Sequence, residues 1–176
     1  DLAANLADFW AFAARRKGKG PAMRLAPVLG EGGQGLERLE IVQDDAPFLV
    51  DSVMGEIAAQ GFQVRAMFHP LATVARDRSG ARVVDGKPRR ESMIQVILER
   101  VGADRAEQLL GGIAEALADG RAAVADFRPM LDLMARTLTE LEAAAPASPD
   151  LAEDLAFLRW LQAEHFVFLG ARVYEY

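Results

Sequence analysis

Residues 44–53 read Asp44-Asp45-Ala46-Pro47-Phe48-Leu49-Val50-Asp51-Ser52-Val53, and they join an apolar, strand-like run at 36–43 to an amphipathic helical pattern. We expect Asp44 or Asp45 to cap this helix. Pro47 then falls in the first helical turn, where its missing N–H group has no intrahelical partner to lose. A helix that starts directly after a strand presents free backbone N–H groups, which favour a small anionic ligand.

The pattern from 36 to 126 predicts six elements in the order βαββαβ. After the first helix, 62–68 alternates as a strand, 71–76 stays extended, and Asp77-Arg78-Ser79-Gly80 is typical of a turn. A strand at 92–100, an amphipathic helix at 104–119 closed by Gly120 and a short strand at 121–126 complete the series. This order predicts an α+β, ferredoxin-like fold, an antiparallel sheet with two helices on one face.

Further elements flank this core. A first helix ends by Gly18, and a strand at 23–29 predicts a hairpin with 36–43. A helix capped by Asp126, with Pro129 in its first turn, leads to a linker at 144–149, a last helix and a strand at 165–176. We therefore divide the chain into an N-terminal helix and hairpin extension (1–35), a core domain (36–126), and a helical extension with the start of the next domain (127–176).

Composition narrows the function class. The 176 residues carry a net charge of −6 and no cysteine, which argues against a nucleic-acid partner, disulfides and zinc–cysteine sites and favours the cytoplasm. The basic run Arg15-Arg16-Lys17-Gly18-Lys19 is interpreted as a solvated helix end with its loop. No apolar stretch reaches the roughly 18 residues of a membrane span. Without an initiator Met, and ending in a strand-like run, the chain is expected to be a piece of a longer protein.

Candidate catalytic motifs have simpler structural interpretations. Gly30, Gly32 and Gly35 match G-x-G-x-x-G, but a strand-like run follows them, so a hairpin loop is favoured over a nucleotide site. His69 and His165, the only two histidines, lack metal-ligand spacing and are assigned structural roles. No G-x-S-x-G elbow surrounds Ser52. We therefore expect no catalytic, cofactor-binding or metal-binding residue in this chain.

The acidic pair Asp44-Asp45 leaves alternatives open. Helix capping is the simplest role for the pair. Mg²⁺ binding or acid–base catalysis is a second possible role, and binding the amino group of an amino acid is a third. The aromatic side chains are interpreted mainly as core packing, with an interface to other domains as the alternative. These are Trp10, Phe157, Trp160, Phe166 and Phe168.

Several separated motifs resemble one family, in the same order. The segment 45–53 resembles the N-terminal region of the very large bacterial NAD-specific glutamate dehydrogenases, and so do His69-Pro70, Arg76-Asp77-Arg78-Ser79-Gly80 and Glu91-Ser92. Two later segments extend the resemblance, which covers nearly the whole chain from about Leu36. They are Asp126-Phe127-Arg128-Pro129-Met130 and Arg159-Trp160-Leu161-Gln162-Ala163-Glu164-His165-Phe166-Val167-Phe168-Leu169-Gly170.

The resemblance implies that 36–126 is an ACT-like domain, a small βαββαβ regulatory module often associated with amino-acid binding and subunit pairing. It implies a parent enzyme that converts L-glutamate to 2-oxoglutarate and ammonia with NAD, using residues downstream of this chain. Ligand-binding ACT modules usually have glycine after the proline of the strand–helix loop, where this chain has Phe48.

Two functional hypotheses follow from the resemblance. In the first, the chain is a non-catalytic regulatory or assembly domain that contacts the downstream domains of its parent and forms a homo-oligomer. In the second, it is an allosteric sensor with an amino-acid effector. The effector residues would then be Asp44, Asp45, Ala46, Pro47, Phe48 and Leu49.

Overall fold

An antiparallel sheet lies in the first two thirds of the chain. The computed structural model describes residues 1–18, 20–33, 35–144 and 151–174. The strands run β1-β2-β6-β4-β5 across the sheet, and β3 also pairs with β6. The mixed helix-and-strand class and the antiparallel sheet are confirmed. The strand bounds are β1 Ala22–Pro27, β2 Leu36–Asp44, β3 Val64–Phe68, β4 Leu71–Arg76, β5 Arg82–Val83 and β6 Arg89–Glu99.

Four α-helices accompany these strands in the described residues. They are α1 Leu2–Phe12, α2 Leu49–Ala59, α3 Ala103–Ala144 and α4 Leu151–Trp160. A 3₁₀ turn at Glu31–Gly33 and a π-helical segment at Leu161–His165 complete the regular structure. The chain divides into two compact units, Asp1–Gly120 and Arg121–Tyr176. No helix within the described ranges combines the length and apolarity needed to cross a bilayer.

The main core lies between one face of the sheet and two helices. Leu39 and Ile41 of β2 alternate along the strand, so both side chains point to this face, where they pack with residues of β6, α2 and α3. The buried stripe of α2 follows the predicted helical spacing through Val53 and Ile57. The remaining buried members are Leu49, Phe62, Ile94, Val96, Leu98, Val101, Leu109, Ile113 and Leu117.

Two short strands share one edge of β6. Residues of β3 pair with the 95–98 part of β6, and β4 pairs with the 89–92 part. His69-Pro70 separates them, as predicted, since proline cannot donate to a strand ladder. The predicted hairpin of β1 with β2 and the turn at 77–80 are also confirmed.

The predicted strand at 121–126 is wrong, and so are the helix end at Gly120 and the new helix at Asp126. All three positions lie inside α3, which runs unbroken from Ala103 to Ala144 with Pro129 in its interior. Alanine is the strongest helix former, and the alanine-rich segment 121–126 outweighs one glycine, which costs a helix only about 1 kcal/mol. The last predicted strand of the βαββαβ series is therefore absent.

The second unit differs from the prediction at its end. Residues 166–174 form no strand, so the predicted strand at 165–176 is wrong over that range; Glu175 and Tyr176 lie outside the described residues, as does 145–149 of the predicted linker. Most of the aromatic side chains interpreted as core are exposed instead. Those exposed are Trp10, Phe157, Trp160 and Phe166.

Candidate functional site

The strand–helix loop places the predicted capping acids away from the helix end. Asp44 is the last residue of β2, and its carboxylate pairs with the Arg16 guanidinium. Asp45 lies next to Arg90, whose Nη2 is 3.4 Å from the Asp45 carboxylate. The predicted capping of α2 by Asp44 or Asp45 is therefore wrong, because arginine side chains from other segments hold both carboxylates.

Phe48 occupies the N-cap position of α2 with an unusual backbone. Its φ of 65° and ψ of 9° lie in the left-handed region, and no side chain caps the helix there. Pro47 precedes this residue, so the prediction that it stands in the first turn is wrong too. The left-handed conformation costs a residue with a Cβ atom roughly 1–2 kcal/mol, and the Phe48 side chain is 62% exposed, so its own burial recovers little of that cost. Such strain is concentrated at functional sites.

The sheet face opposite the main core is polar, although α1 covers it. Phe9 of α1 and Ala13, the residue that follows this helix, pack on Val42 and Met93 in a small apolar cluster. Around this cluster, charged and amide side chains of β2 and β6 are almost fully buried, among them Arg38, Glu40, Glu91 and Gln95. Buried charges require partners, and the structure supplies them in two groups.

The first group surrounds Glu40, whose side chain is 0% exposed. One carboxylate oxygen accepts a hydrogen bond from Arg24 Nε at 2.6 Å, and the other lies 2.9 Å from Gln95 Nε2 and 3.2 Å from Arg38 Nη1. Arg38 also donates to Asp8 of α1 at 2.7 Å. Hydrogen bonding from Arg38, together with the positive charges of Arg24 and Arg38, lowers the pKa of Asp8 from its ordinary value. This group therefore fixes α1 to the sheet by ionic contacts.

The second group links four charged side chains. Glu91 forms a two-point contact with Arg76, whose Nε and Nη2 each lie 2.7 Å from a carboxylate oxygen. Arg16 lies 3.1 Å from the same carboxylate and also pairs with Asp44. Arg16 is only 5% exposed, so the interpretation of 15–19 as a solvated helix end is wrong at this position; Lys19 lies outside the described residues.

The turn at 77–80 is tied to the segment after α1. Asp77 accepts hydrogen bonds from the Ser79 hydroxyl at 2.7 Å and from the Ala81 N–H at 3.0 Å, which lower its pKa. Gly80 accepts from the Arg16 N–H at 2.9 Å and has a φ of +83°. A Cβ atom on Gly80 would lie 2.0 Å from the Arg16 carbonyl oxygen, so only glycine fits this close approach.

The other singled-out residues have structural surroundings. His69 contacts the buried Ser92 hydroxyl through Nε2, and His165 contacts the Trp160 carbonyl and stacks on the Trp160 ring. The strand β2 follows Gly35, so no helix leads out of the glycine-rich loop, whose Gln34 lies outside the described residues. Among the described side chains, no cluster of three or more histidines and carboxylates suits a metal ion.

The buried ionic groups were not foreseen from the sequence. In β2, Arg38 and Glu40 alternate with Leu39 and Ile41, a pattern typical of a solvated face. A usable signal is present nevertheless, since Glu91 and Gln95 in β6 stand at matching alternate positions, and the one charged residue of α1 (Asp8) is opposite in sign to the one of β1 (Arg24). That pattern indicates polar partners across neighbouring strands.

Comparison with known proteins gives a consistent result. The family model of the glutamate dehydrogenase ACT1 domain matches residues 1–113. The chain is 34% identical over 148 residues to the NAD-specific glutamate dehydrogenase of Halomonas elongata, and 32% identical over 142 residues to that of Pseudomonas aeruginosa. These alignments cover 78% and 75% of this chain but only 9% of each relative.

The family match includes the first 35 residues, whose strand β1 is part of the sheet. It also includes the loop at 44–49, the buried ionic groups and the turn at 77–80. The resemblance inferred from separated motifs is thus confirmed by comparisons that use most of the chain. The chain belongs to the ACT1 domain family of glutamate dehydrogenases.

Proposed function

We propose that this chain is a non-catalytic regulatory and assembly domain of a large NAD-dependent glutamate dehydrogenase. The match of the ACT1 family model to residues 1–113 carries the proposal, because these residues hold the whole sheet and α2. The parent enzyme would convert L-glutamate to 2-oxoglutarate and ammonia with NAD at a site outside this chain. The absence of cysteine from the sequence agrees with a cytoplasmic enzyme.

The proposed fold of the first unit is an ACT-like plait with its strands in a permuted order. The series β2, α2, β3, β6 and α3 gives the first five elements of βαββαβ. The sixth element of a plait is an edge strand beside the first, and β1 lies antiparallel to β2 at that place. A strand that precedes the series thus takes the place of one that would follow it.

Assembly through sheet edges would suit this domain. The strand β1 is terminal in the sheet order, so one of its edges has no strand neighbour in the described part of the chain. Near the opposite edge, Met67, Phe68 and Leu71 expose apolar side chains. An unpaired edge with apolar neighbours is a surface that a second copy or another domain can cover.

Light scattering tests the assembly proposal directly. The parent enzyme and a parent lacking residues 1–176 are compared at equal protein concentration. We expect the deletion to lower the oligomeric state. In a separate assay, the 176-residue chain alone should reduce NAD with glutamate no faster than a no-protein control. An unchanged oligomer after the deletion contradicts the assembly role, and turnover by the separate chain contradicts the non-catalytic assignment.

An amino-acid sensor at Asp44, Asp45, Ala46, Pro47, Phe48 and Leu49 is the second candidate. The strained, exposed Phe48 supports it, since nothing in its own packing accounts for the left-handed conformation. Calorimetric titration with a panel of amino acids separates the two candidates. Saturable heat that is lost in Asp45→Asn favours the sensor, and absence of heat and of thermal stabilisation at millimolar ligand rejects it. Regulation would further require different affinities in two states of the enzyme.

A further inference from the structure

A cavity of about 290 Å³ opens beside the turn at 77–80. Its walls come from β4, the turn, the start of β6 and the segment after α1. Five basic and two acidic side chains line it, an excess of three positive charges in a chain whose net charge is −6. The basic residues are Arg16, Arg76, Arg78, Lys87 and Arg89.

The acidic side chains of the cavity are already engaged. Glu91 is held by Arg76 on two points and by Arg16, and Asp77 accepts hydrogen bonds within its own turn. Arg16 is nine-tenths buried, yet its Nε–H has no hydrogen-bond partner among the described residues. Its Nη2 is already paired with Asp44 and Glu91, so both acidic side chains that line the cavity, and one of its arginines, have partners within the protein.

Three further cations stand at this cavity with exposed side chains, Arg78, Lys87 and Arg89. In the part of the chain that the structure describes, no ion pair engages any of them. Isolated surface cations are ordinary. Here, however, the three line one concavity, and charges of one sign around a cleft raise the local concentration of the opposite ion.

The backbone of the turn that carries Arg78 is held by hydrogen bonds. Gly80 joins the segment after α1 through the Arg16 N–H, and its carbonyl also accepts from Arg76 Nη1 at 2.8 Å. Asp77 closes the turn that presents Arg78. A turn whose backbone is fixed before a ligand arrives loses little backbone freedom on binding.

We propose that this cavity binds a small, multiply charged oxyanion, recognised by its phosphate or carboxylate oxygens. The volume suits a compact metabolite, since it is at the lower limit of ordinary ligand pockets. Arginine and lysine donors of this kind recognise phosphate and carboxylate groups. This inference does not rest on the proposed assembly role, and its site is joined to the sensor loop at 44–49 by the ion pair of Arg16 with Asp44.

Calorimetry on the 176-residue chain tests the site with inorganic phosphate, pyrophosphate and succinate at constant ionic strength. The pyrophosphate and succinate arms distinguish phosphate from dicarboxylate chemistry. The variants Lys87→Gln and Arg89→Gln each remove one exposed cation without breaking an ion pair. Arg65→Gln is the matched control, because Arg65 is also an exposed arginine on a strand but does not line the cavity. Circular dichroism confirms that each variant is folded.

We expect saturable binding of at least one probe, weakened about tenfold by Arg89→Gln or Lys87→Gln and unchanged by Arg65→Gln, because each substitution removes one charge-assisted contact. Three results would overturn the proposal. They are no saturable heat with any probe, equal affinity in the cavity variants and the control, and binding that is lost equally in Arg65→Gln.

Discussion

Replacement of Glu40 by glutamine tests whether the ionic layer beneath α1 stabilises the first unit. The substitution keeps the shape of the side chain but removes the charge that Arg24 and Arg38 contact. Arg38, with a side chain 1% exposed, then keeps Asp8 as its one anionic partner among the described residues, and that carboxylate is 38% exposed. Breaking a buried ion pair from one side costs about 3–5 kcal/mol, so we expect a loss of about 3 kcal/mol.

Urea unfolding measures this loss most clearly with one tryptophan as the probe. The chain has two tryptophans, and Trp160→Phe leaves Trp10, in the first unit, as the only one. With a denaturant slope of about 2 kcal/mol per molar, Glu40→Gln should lower the urea midpoint by about 1.5 M. Asp45→Asn is the control in the same unit, because its pair with Arg90 is partly exposed and should contribute at most about 1 kcal/mol.

A double-mutant cycle separates the pair from the rest of the layer. Glu40→Gln combined with Arg38→Gln should cost less than the sum of the two single substitutions, with a coupling of about 1–3 kcal/mol. A midpoint for Glu40→Gln within experimental error of the Asp45→Asn control would refute the reasoning. So would strict additivity of the two substitutions.

Four further outcomes are expected. Gly80→Ala should destabilise the first unit by several times the cost of the control Gly20→Ala in the same urea assay, because the Cβ atom at position 80 meets the Arg16 carbonyl whereas one at position 20 meets nothing within 4 Å. Phe48→Gly should be at least about 1 kcal/mol more stable than Phe48→Ala, since only glycine relieves the left-handed strain; equal stabilities would contradict the strain. The lowered pKa of Asp8 adds stability above about pH 4, and this stability is lost as the pH falls through the folded-state pKa. Asp8→Asn should therefore make the urea midpoint depend less on pH in the acid range. An unaltered pH dependence would reject the linkage. Pro129→Ala should raise the helical stability of the second unit by about 1–3 kcal/mol, measured by circular dichroism, because it restores a helical N–H; a decrease would argue against a continuous α3.

The sequence predicts the apolar layer of this fold well. Leu39, Ile41, Val53 and Ile57 follow strand and helix periods, so the sheet, α2 and their shared core could be derived from spacing alone. The hairpin and the turn at 77–80 could also be predicted, because glycine, aspartate and proline favour particular backbone conformations.

The misses have local and long-range causes. Gly120 was given more weight than the alanines after it, and a favourable helical neighbourhood outweighs one poor residue. The burial of Arg38 and Glu40 depends on α1 lying over the strand, which no pattern within β2 reveals. The cavity at Arg16 likewise arises from segments about 60 residues apart along the chain, which no local pattern connects. The division of the chain into the regions 1–35, 36–126 and 127–176 stays a prediction.

The place of β1 beside β2 affects the order in which this domain can form during synthesis. A plait closed by its last strand must wait for the ribosome to deliver that strand. Here every ladder of the described sheet joins residues no later than Glu99, so the hydrogen-bonded network is complete before α3 emerges. Domains fold from the N-terminus as they are translated. Once residue 100 has left the ribosome, the nascent chain therefore contains every strand of the described sheet, while one face of that sheet still lacks α3.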